Sequence, residues 1–144
     1  MTTVAQPDSI LPGLPAVGSK AVRRETRLAR VALALIALHF ADDNFLQPAP
    51  GTSESDHLAS GLVPLAVLIA AMVIYPRLRA GARAATAMTL GAIGITVGVP
   101  SAYYLVDGSA SGDHYSGLLT IVAGAVLLGS GMTTLWNARR TGMS

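Results

Sequence analysis

His39, Asp42 and Asp43 are spaced i, i+3, i+4 in the string HFADD, so on a continuing helix all three share one face. An imidazole one turn from two carboxylates can exchange a proton, orient a ring, or offer nitrogen and oxygen ligands to a metal. Asp56-His57 and Asp113-His114 repeat the same pair of side chains at two other points in the chain. A functional reading gathers His39, Asp42, Asp43, Asp56, His57, Asp113 and His114 into one polar site for a metal, a proton or a small ligand. The plainer reading makes the loop acids and histidines a solvated rim that caps helices, and we favour it for the residues in loops. His39 stands apart, because it lies within the apolar run VALALIALHFA. An ionisable side chain at such a place is a functional-site candidate by default. For His39, a working site and a simple structural contact with Asp42 or Asp43 both stay open.

The elements that would position these residues follow from charge. Ten Lys and Arg residues fall into three groups. Lys20, Arg23, Arg24, Arg27 and Arg30 form the first, Arg77, Arg79 and Arg83 the second, Arg139 and Arg140 the third. The connections around 42–57 and 107–114 have no Lys or Arg and hold six of the eight acids. Basic short loops stay cytoplasmic. Four spans therefore leave every basic group on one side, with both termini inside.

Three stretches, 57–76, 84–106 and 114–138, carry no Asp, Glu, Lys or Arg, and each can cross a hydrocarbon core of about 30 Å. The first span is weaker. Only eleven residues separate Arg30 from Asp42, a reach of about 16 Å as a helix. If this segment did not cross, the basic residues would divide five against five across the bilayer. Crossing keeps all ten together, with Arg27 and Arg30 snorkelling to the interface. No small-x-small cleavage site follows the apolar run, which disfavours a signal peptide. The expectation is an all-α membrane protein, a four-helix antiparallel bundle over residues 20–140. Its spans lie at roughly 27–45, 57–75, 84–104 and 115–137, between a flexible cytoplasmic tail at 1–19 and a short one at 141–144.

Composition supports the class. The chain is 51% hydrophobic and only 12% charged, too apolar for an ordinary soluble domain. It has no Cys, which excludes disulfides and thiolate metal sites. Its basic residues sit at helix ends without interleaved aromatics, so nucleic acid is not an expected partner and the lipid bilayer is. Arg outnumbers Lys nine to one, a bias of GC-rich bacterial genomes that points to a bacterial plasma membrane. Tyr103, Tyr104, Tyr115 and Phe45 read as an outer aromatic belt, Tyr75 and Trp136 as an inner one.

Small residues indicate packing. Gly91, Gly94 and Gly98 in the third helix, and Gly124 and Gly129 in the fourth, permit close backbone approach in lipid. The fourth helix offers two more small ridges, Thr120-Gly124 and Ala125-Gly129-Thr133. Packing within one chain is favoured over a homo-oligomer seam.

Catalytic and cofactor templates are missing. LGSGM around Ser130 lacks G-x-S-x-G spacing, and no Walker loop, H-E-x-x-H or dinucleotide fingerprint occurs. No cofactor, catalytic residue or metal set is assigned. The strings HFADDNFLQPAPGTSESDHLASGLVPL, YPRLRAGARA, AYYLVDGSASGDHYSGLL and TLWNARR resemble the amino-terminal membrane region of actinobacterial α/β-hydrolases of the dienelactone-hydrolase type. The likeness covers about His39 to Arg140. In those longer proteins a hydrolase domain follows, whereas this chain stops at Ser144 without it. The resemblance implies a non-catalytic membrane module that anchors or associates with another protein, such as a separately encoded hydrolase. A small ligand-, ion- or proton-handling membrane protein built on the His/Asp residues is the alternative.

Overall fold

A computed structural model describes residues 17–46, 53, 55, 58–108 and 112–141. Every regular element among them is helical: α1 (Val17–Ala41), α2 (Leu58–Ile74), α3 (Ala80–Val106) and α4 (Gly112–Thr141). A π-helical turn, Asp42–Leu46, continues α1, and a 3₁₀ turn, Tyr75–Arg77, ends α2. Among the described residues, three segments are long and apolar enough to cross a membrane: Leu58–Arg77, Ala80–Val106 and His114–Arg140.

The basic turn is shorter than the sequence suggested. Only Leu78 and Arg79 are extended before α3 begins at Ala80, four residues earlier than expected. The reason is the Ala-rich string AGARAATA, whose high helix propensity carries the helix back towards Pro76. Arg83, expected in a loop, therefore lies on a helix and is buried.

α3 and α4 form the most extensive interface. The buried small residues of α3 are Ala84, Ala87, Gly91, Gly94, Gly98 and Ser101, spaced alternately three and four apart. That is the heptad a/d pattern, the seam of a closely packed helix pair. Gly117, Thr120, Gly124, Leu127 and Gly131 repeat it on α4, and all are buried. The backbones almost touch. A Cβ added at Gly91 would lie 2.7 Å from the Gly124 carbonyl oxygen, and one at Gly124 would lie 2.6 Å from that of Gly91. Gly98 meets the Gly117 carbonyl in the same way, and Gly94 receives Ile36 of α1.

Gly129 does not share this role. It is exposed, and a Cβ there would meet nothing within 4 Å. The heptad phase of α4 puts the Thr120-Gly124 ridge in the seam with α3 and leaves Ala125, Gly129 and Thr133 off that seam.

α1 is the central helix, packed against both α2 and α4. Thr26, Ala29, Leu33, Ile36 and His39 form its buried stripe at helical spacing. The core joins Ala29, Ala32, Leu33 and Ile36 to Leu68, Ala87, Ala123 and Leu127. The bundle expected from sequence placed every successive pair of helices side by side. Instead α2 and α3 scarcely touch, although only a short turn links them. α3 commits its small-residue face to α4, and α2 packs on α1, so the two lie on different sides of the α1–α4 pair.

Candidate functional site

His39 is the last buried residue of the α1 stripe and only 4% exposed. Its Nδ1 lies 2.9 Å from the Ser116 hydroxyl of α4. Ser116 Oγ in turn donates to Asp42 Oδ2 at 2.8 Å. A serine hydroxyl has one proton, and here the carboxylate takes it. The imidazole nitrogen facing Ser116 must then be the protonated one, so Nδ1–H donates to Oγ. Imidazole, hydroxyl and carboxylate form a two-bond relay from the bundle interior to the half-buried Asp42.

The surroundings explain why the relay forms there. A π turn adds a residue to the hydrogen-bonded ring of the helix and often marks a functional position. In this turn, buried Asn44 donates to the Phe40 carbonyl at 2.9 Å and receives the Ser60 hydroxyl of α2 at 3.4 Å. Phe45 closes over Gly61, where a Cβ would lie 2.6 Å from its ring. Thr120, fully buried one turn below Ser116, donates to the Ser116 carbonyl. Gly117 completes the wall: a Cβ there would collide with Ser101 of α3 and reach the His39 ring at 3.4 Å. All four helices thus contribute to one polar cluster.

Of the residues singled out from sequence, His39 and Asp42 come together, though through Ser116. Asp43 is exposed on the next position of the π turn. His114 stacks on Tyr104 of α3, with ring centroids 4.6 Å apart. Asp113 lies in the first turn of α4, while Asp56 and His57 are outside the described residues. Among the described residues, no group of three or more His, Asp or Glu side chains could hold a metal ion.

A second polar cluster lies at the basic end. Tyr75, expected as an interfacial anchor, is fully buried and donates to Glu25 Oε1 at 3.0 Å. The same carboxylate oxygen pairs with Arg83 Nε at 3.4 Å. Glu25 draws both partners inward because it is the acid that α1 presents to them across the helix interface. Nearby, Arg30 and Arg77 cap the end of α2 by donating to the carbonyls of Met72 and Val73. His39 lies fourteen positions after Glu25, about 21 Å along a helix. Ala29, Ala32, Leu33 and Ile36 fill that interval, so an apolar belt separates the two clusters.

No protein-family model, curated protein or solved structure matches this chain.

Proposed function

We propose a non-catalytic, four-span protein of the bacterial plasma membrane, with both termini inside and a proton-responsive relay in its outer half. The relay is the observation that carries this reading: a buried imidazole on α1, bonded through Ser116 of α4 to a carboxylate at the helix end. With Nδ1 already donating to Ser116, a second proton would enter at Nε2 and leave that bond in place, so its effect on the α1–α4 tie is the positive charge it puts on the buried ring near the Asp42 carboxylate. The geometry argues against acyl transfer, because Ser116 directs its proton to Asp42 and leaves none for the imidazole to abstract. The apolar belt argues against conduction across the whole bundle. Ring ¹⁵N signals of His39 test the reading. They should show a protonated Nδ1 bonded to Ser116, and that signal should shift in Ser116→Ala. An unprotonated Nδ1, or ring signals identical in the protein and in Ser116→Ala, would reject it.

The second reading is a membrane module that docks a separately encoded hydrolase. It is supported by the sequence resemblance and by the exposed apolar surface of α2, including Leu62, Val63, Val67, Ile69 and Val73. Purification from native membranes should then yield a hydrolase with a G-x-S-x-G motif or its cysteine counterpart. Recovery of the chain without one, under conditions that keep the bundle folded, removes this reading.

A further inference from the structure

At the basic end of the bundle, a cavity of about 670 Å³ opens between α1, α3 and α4. Its size is that of a small-molecule site. Arg83, 9% exposed, is in its wall, and its Nε has no hydrogen-bond partner, only the longer ion pair with Glu25. Arg24 supplies a second cation. Two arginines against one glutamate leave the wall with a net positive charge. Ser130, Thr134 and Asn137 of α4 add neutral polar groups, and Ala80 brings in the first turn of α3, whose N–H groups lack intrahelical acceptors. The other wall differs in kind. Leu28 and Val126 line it and are among the large apolar residues exposed at the bundle surface, where lipid chains would lie.

We propose that this cavity binds an anionic, phosphate-bearing amphiphile, with its headgroup at Arg83 and Arg24 and its chain leaving past Leu28 and Val126. Arginine suits a phosphoryl group through its fork of N–H donors. A free phosphate would use the cationic wall and leave the apolar exit unfilled, whereas a phospholipid uses both. The inference rests on the chain lying in a membrane and is independent of the His39 relay.

Thermal unfolding of the full chain in a neutral detergent, titrated with lipid, tests it. Short-chain phosphatidylglycerol should stabilise the protein at roughly tenfold lower concentration than phosphatidylcholine, because both offer a phosphate but only the choline headgroup brings a cation against Arg24 and Arg83. Inorganic phosphate should give no comparable shift. Gly129→Phe fills the cavity from a position where an added Cβ meets nothing within 4 Å, and should abolish the difference between the lipids. Arg24→Gln, at an exposed position, should weaken it and provides the test if Gly129→Phe does not fold. Equal action of the two lipids, a full shift from phosphate alone, or an undiminished preference in Arg24→Gln would overturn the proposal.

Discussion

Ser116 joins two partners through one hydroxyl, so removing it breaks the link between them. In Ser116→Ala, His39 Nδ1 and Asp42 lose their shared bridge, and His39 stays buried with a ring N–H to satisfy. The expected loss is about 1–3 kcal/mol, the cost of leaving a buried polar group unpaired. Ser116→Thr keeps the hydroxyl and should lose less. Equal stability of the protein and Ser116→Ala, in detergent melts, would show that the relay does not form. Glu25 invites the corresponding test at the other end. Glu25→Gln leaves the buried Arg83 without its counter-ion, and should destabilise by roughly 3 kcal/mol, as broken buried pairs do. Tyr75→Phe removes only a hydroxyl and should cost about 1 kcal/mol. A reversed order of these two losses, read from the same melts, would place the energetic centre of the cluster on the phenol. His39 was legible in the sequence because an ionisable group in an apolar run needs a polar partner, whether structural or functional. Ser116 was not, since a serine in a membrane helix can satisfy itself on its own backbone and carries no periodic signal. Glu25 was hidden among arginines on its own helix, and nothing local to α1 reveals that its partners lie on α2's end and on α3.

Glycines show what a helix can and cannot reveal about its neighbours. The small residues of α3 are visible in the sequence, and their alternate spacing of three and four already defines a face. What that face meets depends on the phase of α4, where two small ridges are present and only one is used. Gly91→Leu and Gly124→Leu place a side chain where a Cβ alone would come within 2.8 Å of backbone atoms across the interface. Each should destabilise by about 1–3 kcal/mol or more, because overpacking must push the helices apart. Gly129→Leu should change stability by no more than about 0.5 kcal/mol, as for a surface site. Thermal unfolding of the three variants side by side checks the phase directly. A loss at Gly129 equal to that at Gly124 would mean that α4 is rotated from the orientation described. The same dependence on partners explains why helix order was not legible. Loop length limits which helices can be neighbours. It does not say that α3 gains more from a continuous seam with α4 than from any contact with α2.

At the scale of the whole molecule, the question is whether α1 crosses. Its basic first half keeps it outside the usual measure of a span, and the sequence supports crossing only through the distribution of ten basic residues. The fold adds a physical reason. α1 runs for 25 residues, about 37 Å, between α2 and α4, both long and apolar enough to cross. α1 lays its apolar stripe of Ala29, Leu33 and Ile36 against both, and a helix packed along two such segments is expected to share their environment. Its arginines fall at the end where Arg77, Arg79, Arg139 and Arg140 also lie, so no basic side chain need sit in hydrocarbon. The proposed topology puts both termini in the cytoplasm and the 42–57 and 107–114 connections outside, and this is what labelling should report. Single cysteines in this cysteine-free chain read that arrangement without background. Ser53→Cys and Ser111→Cys should react with a membrane-impermeant thiol reagent in intact cells. Gly81→Cys, exposed and with no atom near its Cβ position, should react only after permeabilisation. Reaction at position 81 in intact cells, with none at 53, would invert the molecule. Reaction at 81 and 111 with none at 53 would instead put α1 on one face of the membrane and leave three spans.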